Sequence, residues 1–319
     1  MIKNKIISIL PLFMAVVIIL QYKFVPNFRT FSVLDAGAPT NLFVYFMGGI
    51  GGVFLAWFVL AFFWQKAAEQ LRKKAPLYTA ALTLLLLFDI ATLTTGWLPE
   101  MFVPFPDAIL NAIFRDYTIL QRSLFHSLLL LFSGYLIGVT AGVITGVAAG
   151  WSKRIRYWVQ PVVRVLGAIP AVTWLPIILV LAHSLFQGAL VLIALAVWYP
   201  VTITTMNGVM NIPAVTFEAA GTFGVSKLGM IFKVALPASS PFIFQGLTQG
   251  LSIACTALLV AEMMGVEAGL GWYINWQRGW ADFAAMYGAV VIIAITFLIV
   301  NGILTIIKNR ALRWKGGTL

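Results

Sequence analysis

Residues 125–150 read FHSLLLLFSGYLIGVTAGVITGVAAG, a run of 26 residues without a Lys, Arg, Asp or Glu. A helix of this length covers more than the roughly 30 Å of hydrocarbon in a bilayer. Such a run predicts a transmembrane helix. Its glycines lie four residues apart and so share one face, where small residues let another helix approach closely in lipid. Their partner is either another span of the same chain or a second subunit. These glycines are at positions 134, 138, 142, 146 and 150.

Seven further apolar runs accompany this one. Only helices and closed barrels satisfy their backbone groups in lipid, and the runs are continuous rather than alternating, so helices are predicted. The sequence therefore indicates an all-α membrane protein with about eight transmembrane helices. The predicted spans are 6–22, 44–64, 77–97, 125–150, 158–182, 187–207, 240–262 and 283–307.

The overall composition leads to the same fold class. Hydrophobic residues make up 61% of the 319 residues and charged residues 10%, whereas ordinary soluble domains carry roughly 25% charged residues. A soluble fold of this size cannot bury so much apolar surface. The composition excludes a soluble enzyme, a disordered chain and a nucleic-acid-binding domain.

The basic residues are distributed unevenly between the two sides of the membrane. The chain has 21 Lys and Arg against 10 Asp and Glu, and 15 of the basic residues fall in one set of loops against 5 in the other. Because basic loops remain on the cytoplasmic side, both termini are predicted to be cytoplasmic. This topology accounts for the basic excess, so no nucleic-acid partner is expected.

Side chains suited to catalysis or metal binding are scarce. Cys255 is the single cysteine, and His126 and His183 are the only histidines. There is no G-x4-G-K-[ST] loop to bind ATP phosphates, and no nucleophile is paired with a base. The chain is therefore predicted to be neither an enzyme nor a metal protein.

Two loops are too long to be simple turns. The outer segment 98–124 is rich in proline and ends in an amphipathic stretch, residues 108–120. In the inner segment 208–239, Pro213 and the helix-forming residues 218–220 predict a short helix, and Gly224 predicts a reversal of the chain. A second short helix is predicted to run to Pro237, before the next span. Such a pair is either a docking surface or an ordinary helical hairpin.

Residues 218–237 of the inner loop read EAAGTFGVSKLGMIFKVALP. They resemble the motif E-A-A-x3-G-x9-I-x-L-P, which marks the inner-membrane permease subunits of bacterial ABC importers. Every anchor position matches in spacing, and the one departure is Val234 in place of Ile. The loop also has the family's location, in a predicted cytoplasmic segment followed by two spans.

Four shorter stretches are similar to the nitrate/sulfonate/taurine branch of that family. The resemblance covers about residues 100–310 and implies a type I permease core in residues 125–310, formed by the last five spans. Residues 1–97 are not covered, so three extra N-terminal helices precede the periplasmic segment 98–124. The matching stretches are PFPDAI at 104–109, AIPAVTWLP at 168–176, VAEM at 260–263 and GLGW at 269–272.

The resemblance implies that other subunits hydrolyse ATP. Two ATPase subunits, which bind ATP and Mg²⁺, are expected to bind the inner loop. This chain itself is expected to hold no cofactor. The complex is expected in the bacterial inner membrane. Its other expected partners are a second permease copy that forms a homodimer, membrane lipid, and a periplasmic or lipid-anchored substrate-binding protein. The residues expected to contact the ATPase are Glu218, Ala219, Ala220, Gly221, Gly224, Val225, Ser226 and Lys227.

The fifth predicted span contains prolines 161, 170 and 176. Proline breaks helical hydrogen bonding, and broken backbone at membrane depth is tolerated only inside protein or beside a water-filled cavity. The span is therefore predicted to line the transport path. Arg164 within it either attracts an anionic substrate or pairs with Glu262 or Asp89. The candidate path residues are Arg164, Pro170, Thr173, Trp174 and Glu262.

The hypothesis for function is the permease subunit of an ATP-driven ABC importer. It would move a small solute inward by alternating access, an anion such as a sulfonate, taurine, nitrate or bicarbonate. The alternatives are an ion-coupled secondary transporter with eight spans and a membrane scaffold without transport. A secondary transporter needs an ion site at mid-membrane, and Asp89 is the only acidic residue well inside a predicted span.

Overall fold

The structure, a computed structural model, describes residues 2–27, 40–99 and 102–315. Arg29 and residues 100–101, which belong to predicted outer loops, lie outside the described residues. Over the described ranges the chain is helical and contains no strand. The helices are α1 (Ile2–Phe24), α2 (Leu42–Phe63), α3 (Gln65–Asp89), α4 (Pro106–Arg115), α5 (Tyr117–Trp151), α6 (Lys153–Ala168), α7 (Leu175–Leu181), α8 (Leu185–Met210), α9 (Ala214–Thr222), α10 (Lys227–Gly229), α11 (Leu236–Met264), α12 (Leu270–Gly279) and α13 (Phe283–Ala311).

Seven helical segments in the described ranges are long and apolar enough to cross a membrane, and a bent pair of helices provides an eighth candidate. The prediction of an all-α membrane protein with about eight spans is therefore confirmed. The chain divides into two compact units, residues 1–117 with 277–288 and residues 118–276 with 289–319.

The fifth predicted span, 158–182, is wrong as a single helix. Its residues belong to α6 and to a second helical stretch, and the two are bent by 97° at a short break. The break consists of Ile169, which is extended, and Pro170. Pro170 and Pro176 cannot donate backbone hydrogen bonds, so a straight helix cannot pass through this stretch.

The third predicted span, 77–97, begins too late. α3 starts at Gln65, with only Trp64 between it and the end of α2, and a π-helical turn from Ile90 to Thr94 continues it. Residues 65–75 are rich in Ala, Gln, Lys, Arg and Glu. These residues are good helix formers, so this basic stretch extends the helix instead of forming a loop.

In the N-terminal unit, a buried carboxylate caps the start of α2. Asp107 of α4 accepts hydrogen bonds from the backbone N–H groups of Thr40 (2.6 Å) and Phe43 (2.8 Å), and Asn111 donates a third at 3.1 Å. Such a carboxylate satisfies the free N–H groups at a helix N-terminus and complements its partial positive charge. Asn41, at the N-cap position of α2, makes no side-chain cap bond. Asp107 therefore acts as the cap in its place.

The same unit contains an exposed ion-pair network. The Arg115 guanidinium donates to Asp116 at 3.0 Å and to Asp282 at 2.6 Å. Its hydrogen bonds to Asp116 and then to Asp282 raise the pKa of Arg115 above its ordinary value, so the side chain remains cationic. The amphipathic stretch 108–120 is divided between α4 and α5, because α5 begins at Tyr117, eight residues before the predicted start of its span.

In the second unit, α5 packs along α8 through its row of glycines. A Cβ atom added at Gly138 would lie 2.5 Å from the Ala194 carbonyl oxygen, and one at Gly142 would lie 2.8 Å from the Val201 side chain. This close packing confirms that the partner of the glycine face is a span of the same chain. The five glycines meet, in order, Ile193, Val197, Val201, Thr205 and Val209.

The second short helix predicted in segment 208–239 is not separate from the following span. Residues from Lys227 onward form one helical segment that reaches Met264. A π-helical turn, Met230–Ala235, connects α10 with α11. Pro237 follows this π-helical turn by two residues, and the helix continues through it, so it does not end the helix as predicted.

Candidate coupling surface and transmembrane path

The inner loop reverses direction at one glycine. α9 ends at Thr222, Phe223 is its C-cap residue, and Gly224 follows with a φ of 73°. The N–H of Val225 donates to Ala220 (3.2 Å) and that of Gly224 to Gly221 (2.9 Å). A residue in the left-handed region closes a helix in this way, and glycine adopts it without strain from a Cβ atom. The reversal predicted at Gly224 is therefore present.

The chain leaves this turn through a second cap. The Ser226 hydroxyl accepts a hydrogen bond from the N–H of Gly229 at 3.2 Å, at the start of α10. Ser is a favoured residue at this position because its oxygen satisfies a free N–H group. The turn between α9 and α10 is thus defined locally by Gly224 and Ser226.

One side of the inner loop packs against other helices of its own unit. The Phe217 ring packs edge-to-face against Trp151, with ring centroids 5.5 Å apart. Phe217 also packs against a buried cluster of Val147, Val209 and Ala235. Because this cluster joins α5, α8 and the π-helical turn, Phe217 of α9 contacts three helical segments at once.

The opposite side of the loop is exposed and apolar at its tip. Phe223 is 86% exposed and Leu228 is 69% exposed. Glu218 and Lys227, the charged residues among the predicted ATPase contacts, are exposed as well. Exposed large apolar side chains rimmed by polar residues are typical of a protein-binding surface. We call this surface the coupling tip.

The bent pair contains four of the five candidate path residues. Arg164, Pro170 and Thr173 are exposed in the single chain, and Trp174 is half-buried with its indole N–H lacking a hydrogen-bond partner. Trp174 belongs to a 3-10 turn, Ala171–Trp174, that leads into α7. The break at 169–170 therefore places these residues on a surface of the single chain.

Glu262 lies in the interior instead. It is 1% exposed, and its Oε1 and Oε2 atoms accept hydrogen bonds from the Ser127 hydroxyl (2.7 Å) and the Gly271 N–H (2.8 Å). Ser127 in turn accepts a bond from the N–H of Leu270 at 2.8 Å. A Cβ atom at Gly269, whose φ is 120°, would overlap the carboxylate. We call these residues the Glu262 cluster.

The Glu262 cluster corrects two expectations. Glu262 does not pair with Arg164, which forms no ion pair in the described part of the chain, and in this conformation it lines no surface that a solute can reach. Sequence reasoning missed Ser127, which gives no signal beyond being a polar residue in an apolar run. The glycines of GLGW carried such a signal, since they lie just after Glu262 and allow the backbone to approach it closely.

The spans, the broken helix pair and the coupling tip define a polytopic membrane transport subunit. The model of a family described as binding-protein-dependent transport system inner membrane component matches residues 138–313, more than half of the chain. The chain belongs to this family and is a permease subunit of the ABC importer class, as the loop motif predicted. Membership of this family favours the importer over the secondary transporter.

Several curated relatives are permease subunits of the predicted branch. The putative aliphatic sulfonates transport permease protein of Bacillus subtilis (strain 168) is 30% identical over 196 residues, 61% of this chain and 70% of that protein. The taurine transport system permease protein of Escherichia coli (strain K12) is 28% identical over 250 residues, 75% of this chain and 88% of that protein. A nitrate import permease protein of Leptolyngbya laminosa is 30% identical over 177 residues, 56% of this chain and 63% of that protein.

A solved structure shows the same fold. The chain resembles a chain of the MetNI methionine ABC transporter in an inward-facing conformation, with a TM-score of 0.52 at 20% sequence identity. The match covers 62% of this chain and 98% of that one. The expected type I permease fold is therefore confirmed.

Proposed function

We propose that the chain moves a small anion inward, and that the anion is a sulfonate such as taurine, nitrate or bicarbonate. The support is twofold. The named relatives transport aliphatic sulfonates, nitrate and taurine, and the exposed Arg164 supplies a positive charge on the bent pair without an ion-pair partner among the described residues. A guanidinium binds the oxygens of such anions through several hydrogen bonds at once.

Two ATPase subunits supply the energy in this proposal. They bind ATP and Mg²⁺, whereas this chain holds neither. The observation that carries the proposal is the coupling tip, where the left-handed turn at Gly224 presents Phe223 and Leu228 outward. Closure of the ATPases displaces the tip, and the packing of Phe217 on three helical segments passes the displacement into the spans. The path alternates between two states because the ATPases bind one of them more tightly.

A second copy of the chain completes the path. Residues 169–170 interrupt the helix and Pro170 is exposed in the single chain, although lipid does not tolerate irregular backbone. A homodimer that encloses the two bent pairs around an aqueous path removes this exposure. In this arrangement Arg164, Pro170, Thr173 and Trp174 line the path, and Glu262 does not.

The location of the complex follows from the charge distribution. We assign the chain to a bacterial inner membrane with both termini in the cytoplasm, because the more basic loops remain on that side. A periplasmic or lipid-anchored substrate-binding protein then docks on the opposite face, on segments 98–124 and 263–282.

The test is a pair of glycine-to-valine substitutions in the assembled transporter, one in the inner loop and one in α2. Gly224→Val places a β-branched residue at a φ of 73°, which distorts the tip. Gly49→Val is the matched control, because it adds the same side chain outside the inner loop, where nothing lies within 4 Å of the new Cβ atom. ATPase activity stimulated by the loaded binding protein, and uptake into proteoliposomes, are measured for both.

We expect Gly224→Val to reduce the stimulated ATPase rate to its basal value and to abolish uptake, while the spans stay inserted. Gly49→Val should retain both activities. Full stimulation in the Gly224→Val variant would show that the ATPases do not act through this loop. Uptake that needs an ion gradient and no ATP would instead establish the secondary transporter.

A further inference from the structure

The N-terminal unit, for which the family resemblance gave no function, contains an open groove between α1 and α3. The groove has a volume of about 650 Å³. Its lining is given by Ile7 and Leu10 of α1 and by Pro76, Thr79, Ala80, Thr83 and Leu84 of α3.

The groove walls offer no free hydrogen-bond donor to a ligand. The Thr79 hydroxyl donates to the Ala75 carbonyl and the Thr83 hydroxyl to the Thr79 carbonyl, both at 2.8 Å. The protons of both threonine hydroxyls are therefore committed to their own helix, and the remaining lining is aliphatic. An anionic or other acceptor group finds no donor here, whereas a hydrocarbon chain gains close packing.

The size of the groove matches one leaflet of a bilayer. Its α3 lining extends from Pro76 to Leu84, which is about 12 Å along a helix axis. Half of the hydrocarbon thickness of a bilayer is about 15 Å. An acyl chain lying along α3 from the interface would thus fill the groove over most of its length.

Two cations lie at the polar end of the groove. Arg72 and Lys73 precede Pro76 by four and three residues, so helical periodicity puts them on the same side of α3 as the groove. Both are exposed, and neither forms an ion pair in the ranges that the structure describes. Glu69, on the same side, lies a further turn away from the groove. Lys74 is the matched residue on the opposite side of the helix.

We infer that this groove binds an anionic phospholipid, with one acyl chain between α1 and α3 and the phosphate group on Arg72 and Lys73. Basic residues at the membrane interface attract anionic headgroups by about 1 kcal/mol each. A second copy of the chain fits the groove less well. A symmetric contact through this surface would bring the two basic ends together and oppose like charges. The inference is independent of the coupling loop and of the transported solute.

The experiment is native mass spectrometry of the full chain in its purified complex, titrated with dioleoyl phosphatidylglycerol or dioleoyl phosphatidylcholine. The two lipids have identical acyl chains and differ in headgroup charge. The variants are Arg72→Gln/Lys73→Gln, the single substitution Lys73→Gln, its control Lys74→Gln, and Ala80→Phe, which fills the groove without changing charge.

We expect the double variant to bind phosphatidylglycerol about 30-fold more weakly, the equivalent of about 2 kcal/mol. Lys73→Gln should weaken binding about fivefold and Lys74→Gln should leave it unchanged. Ala80→Phe should lower the affinity for both lipids. For the unaltered chain, added salt should weaken phosphatidylglycerol binding alone, a readout that requires no variant.

Three results would overturn the inference. Equal affinities for the two lipids would remove the role of charge, and equal effects of Lys73→Gln and Lys74→Gln would remove the role of the groove side of α3. A dimer that excludes both lipids and is broken by Ala80→Phe would assign the groove to a second copy of the chain.

Discussion

The glycines of α5 and those of α2 look alike in the sequence but have opposite surroundings. A Cβ atom at any of the five α5 glycines would lie within 3 Å of α8. In α2, Gly48, Gly49 and Gly52 have nothing within 4 Å of the same position. Small residues at helical spacing therefore mark a close helix approach only where the partner presents a matching row, here the mostly β-branched side chains of α8.

Two buried carboxylates, Glu262 in the second unit and Asp89 in the N-terminal unit, differ in the same way. Both oxygens of Glu262 accept hydrogen bonds from the protein. Asp89 in α3 is fully buried, and neither of its oxygens has a hydrogen-bond partner. An unpaired buried carboxylate costs stability, whereas a bonded one fixes the backbone that donates to it. Glu262 thus fixes the backbone at the start of α12, whereas Asp89 accepts no hydrogen bond that would offset the cost of its burial.

The largest expected effect comes from breaking the α5–α8 contact. Gly142→Val would force a side chain into the Val201 side chain and the Trp198 carbonyl, and should lower the free energy of unfolding by about 3 kcal/mol. Gly49→Val in α2 meets open space and should change it little. Unfolding by SDS titration of the purified chain measures both. Similar losses for the two variants would mean that the glycine spacing, rather than the partner helix, determines the effect.

The carboxylates provide the second test. Glu262→Gln replaces an acceptor by an N–H₂ group opposite the Gly271 N–H or the Ser127 hydroxyl, which should cost about 2 kcal/mol of unfolding free energy. Asp89→Asn removes an unpaired charge and should cause no loss. The same titration compares them. If Asp89→Asn proved the more damaging, Asp89 would have a partner that the single chain lacks.

A smaller effect is expected at the cap of α2. Asp107→Ala leaves the N–H groups of Thr40 and Phe43 without acceptors and should cost about 1 kcal/mol. Hydrogen exchange of the Phe43 amide should become faster, because its hydrogen bond is lost. Asn111→Ala, which removes one donor to Asp107, is the milder control. Unchanged exchange at Phe43 would show that α2 is held by its apolar contacts alone.

The smallest effect is a gain. Gly49→Ala adds a methyl group where nothing lies within 4 Å and lowers the conformational freedom of the unfolded chain. Ala exceeds Gly in helix interiors by roughly 0.5–1 kcal/mol, so a stabilisation of that size is expected in the SDS titration. A loss instead would indicate that another surface lies against this side of α2.

The sequence predicted much of this fold because spans and turns follow local rules. The lengths of the apolar runs were enough for an all-α membrane protein, and one glycine was enough for the reversal at Gly224. The bend at 169–170 was only partly predictable, since prolines indicate a break but give no angle. The continuous helix after Lys227 was missed because Pro237 looked like an end, although the helix passes through it just after the π-helical turn.

The site was less accessible to sequence reasoning than the fold. The position of Glu262 within its run suggested a path residue or a partner of Arg164. Its actual partners, the Ser127 hydroxyl and the backbone N–H of Gly271, lie 135 and 9 residues away in sequence. Side-chain pairs from distant segments depend on how helices pack, and apolar periodicity does not encode that. The roles of the coupling and path residues therefore remain predictions.

Because the helix from Lys227 to Met264 is uninterrupted, the number of residues in it determines the rotational orientation of the loop before it about the helix axis. Each residue of an α-helix advances it by about 100°. One residue inserted between Ser226 and Leu236 would swing Phe223 and the rest of the tip through that angle around the axis of α11, while every side chain kept its identity. The wide turn at Met230–Ala235 sets this angle in the present chain. The direction in which the tip points is thus fixed by a count of residues.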